Sequence, residues 1–320
     1  MRSVVCEELG SVVVRDTGPV EPGPGQVVVA VEAAGVNYVD GLFVQGRYQI
    51  KPEPPFVPGS EVAGTIVAAA PGAGGPALGT RVLAMCGLGG FAERVAVPAA
   101  SVVPVPDRLD AARAATFTQS HCTGLFGLRE RGGLRPGETV LVLGAGGGVG
   151  LAAVQIAKAL GARVLAAASS AEKRDAALAA GAEAAVDTSS DDVKEAAREW
   201  SPGGVDLVYD PVGGPSADPA LRALREFGRY LVIGFASGTI PSLPLNQVLL
   251  RNRTVTGVDW GAWSGTHPLE QRALLDELLA LVADGRLDPV APRTAPLESA
   301  PAVLDDLLNR RVVGKVALIP

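Results

Sequence analysis

Seven residues, Gly144-Ala145-Gly146-Gly147-Gly148-Val149-Gly150, restrict this chain more than any others. They lie between an apolar run ending at Leu143 and a helical pattern carrying Leu151, Val154, Ala157 and Leu160. Glycines there let the backbone approach a ligand closely. A helix starting at such a turn offers free N–H groups and the positive end of its dipole to an anion such as a pyrophosphate. A second strand-like run, Arg163 to Ala168, follows about 20 residues on, completing the context of a dinucleotide site. The register is not strict: G-x-G-x-x-G falls on Ala145, Gly147 and Gly150, with alanine first, while Gly144, Gly147 and Gly150 also read as G-x-x-G-x-x-G. A purely structural loop is the alternative for glycines without that context. No Walker lysine follows, which disfavours nucleotide hydrolysis.

With 320 residues the chain is long enough for about two domains. From Thr139, strand and helix patterns alternate: Thr139 to Gly144, Arg163 to Ala168, Ala184 to Val186, Val205 to Tyr209 and Tyr230 to Phe235 are apolar runs separated by helical stretches. This predicts an α/β domain with right-handed crossovers and a doubly wound parallel sheet covered on both faces. The first hundred residues read instead as short β runs broken by proline and glycine, among them Val27 to Ala34, Glu61 to Ala70 and Arg81 to Met85, which suits a barrel-type β domain. Past about residue 250 come Val255 to Trp260, amphipathic helices around Leu269 to Leu281 and Ala302 to Asn309, and a strand-like run from Lys315 to Ile319. We expect the C-terminal segment to return to the N-terminal β domain. The expected division is residues 1–118 with 252–320, and residues 119–251.

Apolar residues make up 48% and charged residues 19% of the chain, which excludes charge-driven disorder. The net charge of −6 gives no diffuse attraction to nucleic acid or anionic membrane, so an anionic ligand needs a local cationic site. Cys6, Cys86 and Cys122 are too few for a four-cysteine zinc lobe or a disulfide framework, and fit reduced thiols in a cytosol. The first ten residues lack a signal-peptide core, and no apolar run approaches the ~18 residues of a membrane span, so a cytoplasmic protein is expected.

Where the second strand of the α/β domain ends, an NAD enzyme places an acid for the ribose 2′-hydroxyl. This chain reads Ala166-Ala167-Ala168-Ser169-Ser170-Ala171-Glu172-Lys173-Arg174. Two hydroxyls and two cations therefore stand where a 2′-phosphate would lie, pointing to NADPH. The alternative is a capping box, Ser169-x-x-Glu172, followed by a solvated basic face. Glu172 and Asp175 reduce the local positive potential.

The chain resembles the zinc-independent medium-chain dehydrogenase/reductases of the NADPH:quinone oxidoreductase (zeta-crystallin-like) type over nearly its whole length. The resemblance is carried by Gly35-Val36-Asn37-Tyr38-Val39-Asp40, Gly46 with Tyr48, Pro55 to Gly64, Leu134 to Glu138, the glycine turn, Tyr209 to Gly214, Val232 to Ala236, and Gly314-Lys315-Val316. It implies a GroES-like β-barrel-type catalytic domain joined to a Rossmann domain, with the cofactor in the cleft, and a homodimer. Zinc-dependent relatives carry a cysteine near the position of Asn37 and a histidine in a Gly-His-Glu triplet. Here the triplet is Gly59-Ser60-Glu61 and no cysteine lies between residues 7 and 85, so no metal is expected.

Carried over position by position, the resemblance implies pyrophosphate contacts from Gly144, Gly147, Gly148, Val149 and Gly150. It implies adenosine-phosphate contacts from Ser169, Lys173 and Arg174, and further cofactor contacts from Ser120, Thr123, Val212, Phe235, Ser237 and Lys315. Asn37 would sit by the nicotinamide ribose and substrate. The family's usual tyrosine after the third strand is Thr188 here, following Asp187, which weakens adenosine stacking.

Tyr48 and Asp40 are the polar candidates facing a substrate. A tyrosine with a pKa near 10 is a donor rather than a base at neutral pH. Loop packing is the alternative for Tyr48, and a turn or salt-bridge role for Asp40. His121 and His267, the two histidines, read as structural, with His121 and Cys122 near the expected cofactor contacts. Trp260 and Trp263 wall a substrate cleft or pack in a core or interface.

The implied activity is hydride transfer from NADPH to a quinone, by orientation rather than metal activation. The rivals are reduction of an enone or enoyl thioester, and a low-turnover NADPH-binding or RNA-binding protein, the last opposed by the lack of basic clusters. No nucleic-acid or membrane partner is expected.

Overall fold

A computed structural model of the chain describes residues Met1–Pro320. The chain divides into two compact units, Met1–Gln119 with Ala291–Pro320, and Ser120–Val290.

The first unit opens with a hairpin of β1 (Arg2–Glu8) and β2 (Ser11–Asp16). Next come β3 (Gln26–Val36), the short helix α1 (Tyr38–Val44), β4 (Glu61–Ala69), β5 (Arg81–Met85), β6 (Arg94–Pro98) and β7 (Val102–Pro104). Helix α2 (Ala111–Ala115) and α3 (Thr118–Leu125) follow, α3 carrying the chain out of this unit. β3 is the hub, because it pairs antiparallel with both β4 and β6. Val27, Val29, Val31, Val62, Ile66, Val82 and Phe91 form the centre of the core.

The second unit is built on a six-stranded sheet. Its elements are β8 (Thr139–Leu143), α4 (Gly148–Ala159), β9 (Arg163–Ala168), α5 (Ala171–Ala179), β10 (Ala184–Asp187), α6 (Val193–Trp200) and β11 (Val205–Asp210). They continue with α7 (Ala217–Ala223), β12 (Leu224–Val232), α8 (Leu245–Leu249), β13 (Thr254–Gly257), α9 (Trp260–Thr266) and α10 (Pro268–Ala283). The order β10-β9-β8-β11-β12-β13 is parallel throughout and reverses between β8 and β11, the arrangement of a doubly wound sheet. Leu141, Leu165, Val186, Val208, Leu221 and Tyr230 lie in its core.

The chain returns to the first unit through β14 (Arg293–Pro296), α11 (Ala300–Leu308) and β15 (Val316–Ile319). β15 pairs antiparallel with β3, Leu318 opposite Ala34, and buries Val316 and Leu318 in the same core.

The return comes later than expected. The division expected at residue 251/252 falls after Val290, because β13 docks on β12 as the sixth parallel strand, Tyr230 opposite Val255, and the helices after it stay with that sheet. A four-residue strand with exposed flanks carries little periodic signal of its own, and its partner decides its place.

Gly35 sets how closely α2 lies against β3. A Cβ there would stand 2.1 Å from the Ala115 carbonyl oxygen and 3.0 Å from the Glu61 side chain. Gly35→Ala is expected to destabilise the protein by about 1–3 kcal/mol. Denaturant unfolding checks this, and a neutral substitution would show that the contact is soft.

Candidate functional site

The candidate side chains fall into two groups, one in each unit. In the first, the turn from β3 into α1 places Asn37 at the helix N-cap, with Asp40 one turn on. The Asp40 carboxylate accepts from the Asn37 backbone N–H at 2.8 Å, so the helix start and the site are fixed by one bond. β4 begins at Glu61, directly opposite Gly35 in the ladder, which brings its carboxylate to Asn37. Lys315 arrives from the residue before β15.

Glu61 is the centre of the resulting network. Its Oε1 accepts from Lys315 Nζ at 3.0 Å and from Asn37 Nδ2 at 3.0 Å, and its Oε2 accepts from the Gln119 backbone N–H at 3.0 Å. Asn37 Nδ2 also donates to Ser60 Oγ at 3.2 Å, Ser60 donates to Gln119 Oε1 at 3.2 Å, and Lys315 Nζ donates to Asn37 Oδ1. Asn37, Asp40, Ser60 and Glu61 are all buried. Two carboxyl groups thus share one ammonium out of water.

Asp40 carries the consequence. Burial raises its carboxyl from the usual 3.8 to about 7, opposed by the Asn37 N–H, the Ser60 hydroxyl and the Lys315 ammonium, and reinforced by Glu61. Its Oδ1 makes no hydrogen bond. Cys86 adjoins from the end of β5, its N–H on the Ser60 carbonyl at 2.9 Å, and burial together with Asp40 and Glu61 pushes its thiol up. No three His, Cys, Asp or Glu side chains are grouped as a metal ion would require.

In the second unit the glycine turn joins β8 to α4, with Gly147 at the N-cap. Gly144 has φ +57°, and a Cβ on Gly150 would stand 2.3 Å from the Gly144 carbonyl oxygen, so turn and helix touch backbone to backbone. A Cβ on Gly146 would stand 2.4 Å from Lys173 Cβ, which lays the stem of that lysine against the turn. Val212, Phe235 and Ser237 come together with the same strand ends: Val212 packs on Gly144, Phe235 on Gly213 and Ser237 on Gly214. Asp210 holds this edge by accepting from the Val212 and Gly213 N–H groups at 2.8 and 2.9 Å and from the Tyr230 hydroxyl.

The first turn of α5 differs from the expected capping box. Ser170, not Ser169, caps α5, accepting from the Lys173 N–H at 3.4 Å, and Ser169 is exposed without a hydrogen bond. Arg174 is tied to Asp187 at 2.7 Å, both side chains about three-quarters buried, so the acid that moderates this cation lies on the third strand rather than at Glu172 or Asp175.

The remaining candidates sit as follows. Ser120 and Thr123 lie on α3, and Ser120 Oγ is 3.4 Å from His121 Nδ1. Gln271 joins Cys122 Sγ at 3.4 Å to Trp260 Nε1 at 2.7 Å, while Trp263 stacks between Phe126 and His267, which makes both tryptophans part of the packing of the second unit. Tyr48 sets its ring edge-on to Phe43 at 5.2 Å. Lys315, expected at the cofactor, commits its ammonium to Asn37 and Glu61. Sequence reasoning did not single out Glu61 and Gln119, which the network joins to Asn37 and Ser60. An acid opening an otherwise apolar strand was the available signal for Glu61, and a backbone N–H bond such as that of Gln119 leaves none.

Comparison with known proteins agrees with both halves. Residues 23–107 match the alcohol dehydrogenase GroES-like domain, and residues 148–279 match the family described as zinc-binding dehydrogenase. The quinone oxidoreductase-like protein 2 homolog of Nematostella vectensis is 36% identical over 323 residues, covering 99% of this chain and 88% of the relative. The chain belongs to the medium-chain dehydrogenase/reductase family, among the quinone oxidoreductase-like proteins. Among solved structures of this family, the quinone oxidoreductase of Thermus thermophilus, determined also in complex with NADPH, is 37% identical with a TM-score of 0.83, each chain covered completely. The Escherichia coli quinone oxidoreductase complexed with NADPH is 27% identical with a TM-score of 0.90 over the same full coverage. Rossmann-like and GroES-like halves are therefore the fold of this medium-chain dehydrogenase/reductase.

The buried Asp40 gives a pH signature. A carboxyl raised in the folded state binds a proton there that the unfolded chain releases, so its contribution to stability falls as pH rises from about 4 to about 7 and is flat above. Asp40→Asn removes that fall. Relative to the parent protein it is expected to gain on the order of 1–3 kcal/mol between pH 4.5 and pH 8. Urea unfolding across this range reads it, and a variant losing ground as pH rises would contradict the assignment.

Proposed function

We propose that this protein is an NADPH-dependent oxidoreductase that reduces a quinone without zinc. The observation carrying the reading is the stem of Lys173 lying against Gly146, which sets a cation beside the glycine turn where an NAD enzyme has an acid. The turn and the N-terminus of α4 suit a pyrophosphate, since Gly144 and Gly150 let the turn close directly onto the start of the helix and the first N–H groups of α4 follow the Gly147 N-cap. Lys173, Arg174 and Ser169 would hold the 2′-phosphate. Val212, Phe235 and Ser237 would line the nicotinamide end of the same strand edge, with Ser120 and Thr123 as further contacts and Asn37 at the ribose and substrate.

Reduction of a quinone takes one hydride, supplied by NADPH when bound, and one proton from solvent, and gives a hydroquinone. A quinone delocalises the incoming charge itself, so no Lewis acid is needed. The donors around Asn37 support this. An amide and a hydroxyl stand where zinc-dependent relatives carry cysteine and histidine, and the Lys315 ammonium on Asn37 Oδ1 would repel a divalent ion. The three free thiols suit a reducing cytoplasm.

Charge-assisted contacts are worth roughly 1.5–3 kcal/mol, or about ten- to a hundredfold in affinity. Changing Lys173 and Arg174 together to alanine is expected to weaken NADPH binding by at least that factor while leaving NADH within about threefold. Equal losses for both nucleotides, read by fluorescence titration, would refute the 2′-phosphate assignment. A steady-state panel of benzoquinones, naphthoquinones, 2-enones and enoyl thioesters should show the highest kcat/KM on a quinone. Dominant turnover of the alkenes would favour the alkene-reductase reading, and dominant oxidation of simple secondary alcohols would refute both.

A homodimer is part of this reading. β13 ends the parallel sheet with one side of its backbone unpaired, and Leu245, Leu249, Leu250 and Val255 on and before it are exposed. A second copy pairing antiparallel along β13 would satisfy the ladder and cover these side chains by two-fold symmetry. Light scattering should give a dimer mass, and Leu249→Lys with Val255→Lys a monomer. An unchanged dimer would place the contact elsewhere.

A further inference from the structure

Asn37 is bracketed by two groups of opposite hydrogen-bonding character. Lys315 Nζ can only donate, and it meets Asn37 Oδ1, while the Glu61 carboxylate only accepts, and it meets Asn37 Nδ2 at 3.0 Å. Rotating the carboxamide by half a turn would set its NH2 against the ammonium and its oxygen against the carboxylate. One flip alone is therefore tolerated. In that flip both Nδ2 protons are used, on Ser60 Oγ and Glu61 Oε1, and Oδ1 faces the Lys315 ammonium and, across the capping box, the Asp40 backbone N–H. Lys315 is itself pinned by its 3.0 Å ion pair with Glu61, side chains 12% and 2% exposed. It enters from the C-terminal strand, 278 residues from Asn37, so no local backbone feature supplies this function.

We propose that Lys315 is a positioning residue whose ammonium, paired with Glu61, locks the Asn37 carboxamide in the flip that offers Oδ1 as an acceptor to a ligand hydroxyl. The functional part rests on the reading above, in which Asn37 meets the nicotinamide ribose and substrate. The hydroxyl belongs to the bound ribose or to the hydroquinone being formed, and binding and turnover separate the two. Loss at the ribose weakens NADPH binding, whereas loss at the product oxygen lowers kcat with NADPH binding intact.

Removing Lys315 alone leaves a buried carboxylate without its cation, which damages the fold whatever the role of the lysine. The decisive variant is therefore Lys315→Met with Glu61→Gln. Below pH 7, where the raised Asp40 carboxyl keeps its proton, it contains no unpaired charge and should unfold close to the parent, but the introduced carboxamide presents either an oxygen or an NH2 to Asn37, so the flip is no longer fixed. We expect this double variant to lose at least tenfold in kcat/KM. Lys315→Arg, which keeps a donor-only cation, should recover most of what Lys315→Met loses.

A readout free of catalysis accompanies these. The Asn37 side-chain amide protons, identified by NMR through their loss in Asn37→Asp, should exchange slowly with solvent in the parent and in Lys315→Arg, and rapidly in the double variant. A stable double variant with parental kcat/KM and slow exchange, or a well-folded Lys315→Arg as impaired as Lys315→Met, would overturn the proposal. If the parent protein reduces no quinone or alkene, the functional reading fails while the exchange experiment still decides the lock.

Discussion

The carboxylate of Glu61 is the point on which the first unit converges. It joins four stretches of chain far apart in sequence: the β3–α1 turn through Asn37, its own strand β4, the entry to α3 through the Gln119 N–H, and the C-terminal strand through Lys315. A buried carboxylate is tolerable only with its charge countered and its lone pairs occupied. Both conditions are met here by residues that also define the site, so the requirement to satisfy one buried charge and the geometry of Asn37 are a single constraint. Asp40 is the member of the group that burial raises most, and the Asn37 N–H, the Ser60 hydroxyl and the shared Lys315 ammonium offset that burial only in part.

The second unit depends on close backbone approach instead of charge. Gly150 lets α4 begin against the Gly144 carbonyl, and Gly146 lets α5 bring Lys173 alongside. A methyl group at either position would collide with backbone or with the stem of the lysine. The same lack of side chains that permits this packing leaves the N–H groups at the start of α4 open to an anion. The rim of the turn is then set by Asp210, whose carboxylate gathers Val212 and Gly213 beneath the end of β11.

The two ion pairs near these sites act differently. Lys315–Glu61 is nearly out of water and hydrogen-bonded to Asn37 on both sides, while Arg174–Asp187 stays about a quarter exposed and is screened. A cation held by a partly solvated acid is held weakly. One buried inside a hydrogen-bonded network cannot move without disturbing its partners.

The parallel sheet, the glycine turn, the basic pair after β9 and the return of the C-terminal strand were all legible in the sequence, because each rests on local periodicity, on glycine's freedom or on residue type at short spacing. Asn37 and Asp40 could be singled out by motif. Only the tertiary structure decided that β13 completes the parallel sheet, that Ser170 rather than Ser169 caps α5, that Asp187 restrains Arg174, and that Lys315 reaches Asn37 and Glu61. The reason is common to all four. A short edge strand takes its place from its neighbour, two adjacent serines offer a helix the same hydroxyl until the backbone chooses, and an ion pair between distant segments exists only once pairing of β15 with β3 has set their separation.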